Sequence, residues 1–370
     1  MKELGIYIHI PFCVKKCDYC DFISYCNKND LIKRYVEKLR EEISNNLKSQ
    51  EYNIKTIYIG GGTPSSIDSK YIVDILNTIK ESYNLDKVEI TIEVNPRTIT
   101  EQKLIDYRNA GINRISIGLQ ETNDELLKQI GRIHTYEQFL ETYKLVRKVG
   151  FDNINVDLMI GLPNQSIENI KQSLEKITKL NPEHISVYSL ILEEGTKLYE
   201  RYQNKEVELP DEELERNMYW YVKNTLENNK YHHYEISNFA KQGYESKHNL
   251  SCWNQEEYIG FGAAAHSYVN GIRYSNTTDI DEYIKGNDKI IHEEQTKQDI
   301  QKEYMLLGLR KTEGVSIQKF KNKFGENPIF LFRIQLNKLV EENLITIDGD
   351  CIKLTNKGLD LANIVWEEFV

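Results

Sequence analysis

The stretch that decides the fold lies at residues 11–22 of a chain of 370 residues and reads Pro-Phe-Cys-Val-Lys-Lys-Cys-Asp-Tyr-Cys-Asp-Phe. It places the thiols of Cys13, Cys17 and Cys20 directly after the apolar run Gly5–Ile10, which predicts a β-strand. One loop can therefore wrap all of these thiols around a single inorganic cluster. Three cysteines bind three irons of a [4Fe-4S] cubane and leave the fourth iron without a protein ligand.

Two other interpretations of this spacing stay open. The chain holds six cysteines in all, so the triad could arise by chance, and in a reducing compartment disulfides are not expected to explain it. A structural zinc ion is the second alternative, but it requires four ligands at paired spacings, and no second Cys-x2-Cys or His-x3-His pair lies near the triad. The iron–sulfur cluster is the favoured interpretation.

Outward from the cysteines, short β-branched runs alternate with amphipathic stretches in the first half of the chain. The runs predict six strands at Gly5–Ile10, Thr56–Gly60, Val88–Val94, Arg114–Gly118, Asn155–Ile160 and His184–Leu190. Apolar residues three and four apart predict helices between them, among others at Asp30–Asn46, Ser69–Glu81, Tyr136–Val149 and Ser166–Leu180. The pattern predicts an α/β fold with a partial (β/α)6 barrel, open at one side, whose active site lies at the carboxyl ends of the strands.

In the second half of the chain, the alternation of predicted strands and helices stops. Acid-rich helices such as Asp211–Asn228 lead into a Gly- and aromatic-rich stretch at Tyr231–Tyr274, which we interpret as cover and substrate contact. Its small-residue run Gly260–Ser267 would let a flat ligand approach, although close packing explains the run equally well. The charged stretch Asp279–Lys302 is interpreted as a linker. We predict a barrel at 1–200, a covering and connecting segment at 201–295, and a small helical, winged-helix-like module at 296–370.

The triad resembles the motif of the radical S-adenosylmethionine (SAM) superfamily, because its Cys-x3-Cys-x2-Cys spacing sits in the first βα loop with Tyr19 just before the last cysteine. The resemblance covers roughly the first 200 residues. It implies that SAM chelates the open iron and that the reduced cluster cleaves SAM to methionine and a 5′-deoxyadenosyl radical. It also implies a reductant protein such as flavodoxin or ferredoxin.

Several residues near the predicted strand ends could contact SAM. A Gly-rich turn at residues 60–64 lets backbone approach a ligand, and Glu93 is an acid in an apolar run, so it would need a polar partner if it points inward. Taken singly, each of these residues also fits a turn or surface position. The chain resembles the coproporphyrinogen oxidase group within the superfamily, and this likeness implies SAM contacts at Tyr7, Tyr19, Gly61, Gly62, Thr63, Glu93, Gln120, Arg132 and Asp157. No catalytic residue is assigned.

Two branches of that group compete. The oxygen-independent coproporphyrinogen III oxidase branch has a longer N-terminal extension and a further cysteine two residues after the triad, where this chain has Phe22. The triad of this chain also begins early, at residue 13. In both respects the chain resembles the HemW-type heme chaperone branch instead. That branch carries a His-Asn-x-x-Tyr-Trp element, and this chain reads His248-Asn-Leu-Ser-Cys252-Trp253 with cysteine in place of tyrosine. The likeness implies heme as a cofactor and His248 as its ligand, although a loop histidine with a backbone partner is the alternative.

The favoured function is therefore a heme chaperone that binds heme and passes it to an acceptor protein, such as a membrane respiratory enzyme. It is expected to cleave SAM reductively. The alternatives are a true coproporphyrinogen III oxidase, an anaerobic heme-degrading radical SAM methyltransferase, and a non-enzymatic iron–sulfur binding module. The two enzymes would be identified by their products, and the binding module by a failure to cleave SAM under a strong reductant.

Bulk properties exclude several other classes of protein. The formal net charge of −10, with Lys and Arg spread among acids, gives no basic stripe for a nucleic acid. No apolar run approaches the roughly 18 residues of a transmembrane helix. The start Met-Lys-Glu-Leu-Gly lacks the basic and apolar regions of a secretory signal, so we expect a cytoplasmic protein.

Overall fold

A computed structural model describes residues 1–47, 52–287 and 289–370 of the chain, with only the backbone considered at 289–294. Its centre is a run of six parallel strands that pair in chain order. These strands are β1 (Lys2–Ile10), β2 (Tyr52–Gly61), β3 (Glu89–Val94), β4 (Arg114–Gln120), β5 (Ile154–Ile160) and β6 (His184–Ser189). The six predicted strands are confirmed. Most of their residues are buried, and one face of β3 to β6 is polar, with buried residues such as Thr91, Ser116 and Asn155.

Helices follow the strands and cover the outside of the sheet. They are α1 (Ile32–Asn46), α2 (Ser69–Lys80), α3 (Glu101–Asn109), α4 (Asp124–Gln129), α5 (Tyr136–Val149) and α6 (Ile167–Leu180). Local signals set their ends. At the start of α5, the Thr135 side chain accepts from the backbone N–H of Gln138, and the Gln138 side chain accepts from the backbone N–H of Thr135. Gly150 ends the helix at φ 98°.

The stretch after β6 extends the sheet at both edges. It forms α7 (Lys197–Gln203), α8 (Glu212–Asn228), β7 (His232–Glu235), β8 (Asn238–Ala240), α9 (Lys247–Trp253), β9 (Tyr258–Phe261), β10 (His266–Val269) and β11 (Ile272–Asn276). Strand β8 pairs antiparallel with β6, and β9 pairs parallel with β1. The sheet does not close: its two end strands in the described part of the chain are β7 and a twelfth strand, β12 (Lys289–Glu294). The predicted incomplete barrel is confirmed.

Close packing explains the small residues at Gly260–Ser267. A Cβ on Gly260 would lie 2.2 Å from the carbonyl oxygen of His266, and one on Gly262 would lie 2.4 Å from the hydroxyl oxygen of Tyr35. The run therefore lets β9 turn tightly against β10 and α1.

The interpretation of 279–302 as a linker is wrong. This stretch contains α10 (Ile280–Lys285), β12 and the start of α11 (Lys297–Gly308), while residue 288 lies outside the described residues. Ile280 and Tyr283 are fully buried, and the Tyr283 hydroxyl donates to the buried Glu42 carboxylate at 2.6 Å. Charged residues of α10 such as Asp281 and Lys285 lie on its exposed face.

The last part of the chain forms the predicted winged-helix-like module. Strands β13 (Val315–Ser316), β14 (Ile345–Asp348) and β15 (Cys351–Leu354) form a separate antiparallel sheet in the order β13-β15-β14. The helices are α11, α12 (Ile317–Phe324), α13 (Pro328–Leu331), α14 (Arg333–Glu341), α15 (Asn356–Asp360) and α16 (Ala362–Glu367). Phe320, Leu336 and Val365 are buried in a core of its own. The boundaries at 200/201 and 295/296 stay predictions. Across the described ranges, no helix combines the length and apolar character that crossing a membrane requires.

Candidate functional site

The carboxyl ends of the parallel strands surround a cavity of about 520 Å³. Its lining comes from the loops after β1 and β2, the ends of β3, β4 and β5, and the segment after β6. Most of the predicted site residues meet there: Cys13, Cys17, Tyr19, Cys20, Gly61, Gly62, Thr63, Glu93, Gln120, Arg132 and Asp157. Parallel strands bring their carboxyl ends to one edge, which is why residues far apart in sequence converge here.

The cysteine loop is bonded to the Gly-rich turn. The backbone N–H of Gly62 donates to the carbonyl of Ile10 at 3.0 Å, and that of Thr63 donates to the carbonyl of Phe12 at 2.8 Å. The Thr63 hydroxyl oxygen lies 3.5 Å from the sulfur of Cys13. A Cβ on Gly62 would lie 2.9 Å from the carbonyl oxygen of Phe12, so only glycine allows the two loops to approach this closely.

Arg132 provides a buried positive charge beside the cysteines. Its guanidinium donates to Asn95 Oδ1 at 2.7 Å and to the carbonyl of Gly118 at 2.5 Å, and one nitrogen lies 3.4 Å from the sulfur of Cys17. Burial opposes this charge, but the neighbouring Cys17 and Tyr19 more than offset it and raise the pKa of Arg132. The Nε atom is buried without a hydrogen-bond partner. The side chain can therefore hold one more acceptor.

Two carboxyl groups, on strands β3 and β5, also line the cavity. Burial, helped by Asp157, raises the pKa of Glu93 to about 7, although the Tyr58 hydroxyl donates to it at 2.8 Å. Burial likewise raises the pKa of Asp157, whose oxygen accepts from Asn155 Nδ2 at 2.7 Å. The ionised form of such a buried acid is stabilised when a cation binds beside it.

Gln120 lines the cavity in a strained backbone conformation. Its φ is 74°, a left-handed value that is uncommon for residues other than glycine. The pairing of β4 with β5 shifts register between Gly118 and Gln120, so the strand bulges here. The bulge turns the Gln120 side chain into the cavity.

Tyr58 and Asn95 were not assigned to the site from the sequence. Both line the cavity, and Asn95 links the two halves of the site because its Nδ2 donates to the Thr63 hydroxyl at 2.9 Å while its Oδ1 accepts from Arg132. The position of Asn95 two residues after Glu93, at a strand end, was a signal that could have found it. Tyr58 lies inside a strand and carried no such signal.

Tyr7 and His248 do not line this cavity. The Tyr7 hydroxyl lies 3.0 Å from His9 Nδ1, and its ring packs on Tyr58 behind the cavity wall. His248 lies on α9, whose first backbone N–H groups donate to Glu89 at the start of β3, so this helix caps the amino ends of the strands. The motif that contains His248 is therefore at the other end of the barrel from the cysteines.

His248 is built into the barrel interior. Its Nδ1 lies 2.9 Å from the Thr56 hydroxyl, its ring stacks on Tyr58 with centroids 5.2 Å apart, and the residue is only 7% exposed. Burial, with a contribution from Arg114, lowers its pKa to about 4. The indole ring of Trp253 faces the guanidinium of Arg310, 4.4 Å away. As a heme ligand, His248 stays a prediction.

The mouth of the cavity exposes apolar side chains. Phe22, Tyr188 and Ile191 are 64%, 40% and 69% exposed at the rim, next to the exposed Lys15 and Lys16. Large apolar groups seldom cluster in water unless a partner or ligand covers them. The rim can accept a bulky, partly apolar ligand, whose polar groups would meet Lys15 and Lys16 as well as the exposed Asp21 and Glu193.

The donors present fit an iron–sulfur cluster with a cationic ligand beside it. Cys13, Cys17 and Cys20 could hold the cluster, because all three line one cavity and Arg132 offsets part of the thiolate charge. In the described ranges no three His, Cys, Asp or Glu side chains converge at the spacing of a single-ion site. A cubane attaches each thiolate to a different iron and so spreads its ligands more widely.

Comparison with known proteins places these observations in a family. The Radical SAM superfamily profile matches residues 7–177, and the HemN C-terminal domain profile matches residues 295–361. The chain is 40% identical to the heme chaperone HemW of Lactococcus lactis over 100% of this chain and 98% of that protein. It is also 40% identical to the heme chaperone HemW of Bacillus subtilis, over 98% of each. The solved coproporphyrinogen III oxidase HemN from Escherichia coli superposes with a TM-score of 0.85 at 22% identity, over 100% of this chain and 90% of that one, which shows a shared fold.

Proposed function

Because the chain belongs to the heme chaperone HemW family of the radical SAM superfamily, we propose that it binds heme and transfers it to an acceptor protein. The observation that carries this proposal is the 40% identity along the whole chain, which includes the covering segment and the C-terminal module as well as the barrel. The acceptor would be a protein such as a membrane respiratory enzyme, and the chaperone would act in the cytoplasm. Membership in the family, as predicted, is confirmed.

The rim of the cavity supports a porphyrin-like ligand. A porphyrin is flat and apolar and carries carboxylates, which suits exposed Phe22 and Ile191 beside Lys15 and Lys16. The same surface would suit the porphyrinogen substrate of an oxidase. Phe22 favours the chaperone, because the oxidase branch has a further cysteine at that position.

The cavity itself would hold the cluster and SAM. We propose Cys13, Cys17 and Cys20 as cluster ligands, and Tyr7, Tyr19, Gly61, Gly62, Thr63, Glu93, Gln120, Arg132 and Asp157 as residues that contact or support SAM. With an electron from a reductant protein such as flavodoxin or ferredoxin, the cluster supplies reductive cleavage of SAM. Arg132 keeps a positive charge beside Cys17, and Glu93 and Asp157 would hold the cationic groups of SAM.

The protein's own residues hold this site in place. Asn95 fixes Arg132 and Thr63 relative to each other, and Gly62 docks the cysteine loop on the turn after β2. Tyr58 donates to Glu93 and so orients that carboxyl group toward the cavity. Preorganisation of this kind reduces the cost of binding a charged ligand.

Heme binding and porphyrinogen oxidation give different results in one pair of assays. An anaerobic titration of the cluster-reconstituted protein with heme, followed by absorbance, is expected to saturate near one heme per chain. Incubation with coproporphyrinogen III, SAM and a strong reductant is expected to release no carbon dioxide. Decarboxylated product would establish the oxidase instead, and a ring-opened, methylated heme would establish the degrading methyltransferase.

SAM binding is expected to tighten as the pH rises through 7. Burial raises the pKa of Glu93 to about 7, so about half of this carboxyl group is neutral at that pH and cannot pair with a cation. Between about pH 6 and about pH 8 its ionised fraction rises roughly tenfold, and the dissociation constant of SAM should fall by a similar factor. Equilibrium dialysis with labelled SAM measures this change.

Two variants control for other titrating groups. Glu93→Gln should bind SAM more weakly with a flat pH profile over the same range, whereas Asp157→Asn should keep a slope from Glu93 but move it to lower pH, because Asp157 helps to raise the pKa of Glu93. An unchanged dissociation constant in the wild type between these pH values would remove Glu93 from the SAM site.

A further inference from the structure

The loop that carries the cysteine triad folds back beside its own start. The backbone N–H of Tyr25 donates to the carbonyl of Pro11 at 2.8 Å, and that of Cys13 donates to the carbonyl of Tyr25 at 3.0 Å. Together these bonds form a parallel bridge between Phe12 and Tyr25. In a parallel pair, the residues that follow a bridge lie side by side and point to the same face. Cys13 and Cys26 directly follow this isolated bridge, which brings Cys26, outside the triad, near Cys13 at the point where the chain bends.

The electrostatic effect of Cys26 on Cys13 agrees with the position that the bridge gives it. Burial is the main cause of the raised pKa of Cys13, and among the neighbouring thiols Cys26 contributes more to that rise than Cys17 does. Neighbouring parallel strands are about 5 Å apart, which lies within the Cα separation that a disulfide spans. Cys26 is only partly buried, so an oxidant can reach it.

We propose that Cys13 and Cys26 form a reversible disulfide in the chain that lacks its cluster. Two S–H bonds break and one S–S bond forms. The two electrons and two protons go to a peroxide, which leaves as water. Cys26 is not among the residues that line the cavity.

The disulfide would withdraw one ligand from the proposed cluster site. Oxidation at this pair is reversible by thiols, whereas a single exposed thiolate can proceed to irreversible acids. The chain could then be reduced and loaded again. This protective role rests on the proposed cluster, whereas the disulfide itself depends only on the geometry of the loop.

Peptide mapping of the full-length, cluster-free protein tests the proposal. The protein is treated with hydrogen peroxide, its free thiols are alkylated, and it is digested without reductant. Trypsin cuts after Lys15 and separates Cys13 from the other loop cysteines, and a protease that cuts before aspartate separates those at Asp18 and Asp21. The expected result is the Cys13 peptide joined to the Cys26 peptide, two hydrogen atoms lighter than their sum, and split by dithiothreitol.

Two variants sharpen the assay. Cys26→Ser should leave Cys13 without this linkage, whereas Cys351→Ser, in the C-terminal module, should leave the linkage unchanged. A Cys13 peptide joined mainly to Cys17 or Cys20, or a Cys26 that stays fully alkylated after oxidation, would overturn the proposal. Heme and SAM assays do not enter the readout, so the outcome is separate from that of the proposed function.

Discussion

Replacing Cys17 with alanine is expected to lower the iron content of the anaerobically reconstituted protein from about four atoms per chain to nearly none. Two thiolates would remain for a cubane that needs three protein anchors. Arg132 would also lose the sulfur at 3.4 Å that raises its pKa, which leaves a buried cation with fewer partners. Iron and sulfide analysis, with the visible absorbance of the cluster, measures the loss.

A matched variant separates ligation from general damage. Cys351→Ala also removes a partly buried thiol, but one that lies in the C-terminal module, and it should keep full iron and sulfide. Arg132→Met tests how much the charge of Arg132 contributes to cluster binding, because this variant leaves all three thiols in place. A Cys17→Ala protein with a complete cluster would contradict the proposed ligand set.

The sequence could predict the barrel because the signals that form it are local or periodic. Helix α5 was predicted with its observed ends, since both the Thr135 cap and the Gly150 stop are adjacent to it in sequence. Strand β1 begins at Lys2 instead of Gly5, because its pairing with β2 continues through an irregularity after Leu4. That extension depends on a partner strand and has no signal in the strand itself.

The parts of the site that sequence could not predict depend on contacts between distant elements. Tyr58 reads as an ordinary strand residue, yet its ring lies between Tyr7 and His248 while its hydroxyl reaches Glu93. The interpretation of residues 279–302 as a linker was wrong for the same reason. Tyr283 in this stretch is buried and donates to Glu42 on α1, some 240 positions earlier in the chain.

The buried position of His248 determines how heme could bind to it. Its motif resembles a heme-binding element, but the imidazole lies inside the amino end of the barrel, against Thr56 and Tyr58. A heme iron can reach it only if α9 moves away from the strands. The exposed rim around Ile191, at the opposite end, needs no such movement. Heme binding through His248 therefore has to include the cost of opening α9.

If His248 is the ligand, His248→Ala should weaken heme binding at least tenfold, about 1.4 kcal/mol, because an axial iron bond is lost. Thr56→Val should act in the opposite direction. It removes the Nδ1 partner of the closed state, a hydrogen bond worth about 1 kcal/mol, and so should tighten heme binding several-fold. Anaerobic heme titration followed by absorbance measures both, and the heme spectrum of His248→Ala should lose its histidine-ligated form. Ile191→Asp is the matched test of the rim: if it abolishes binding while His248→Ala leaves affinity and spectrum unchanged, heme sits at the cavity mouth and the motif on α9 serves only to pack the barrel.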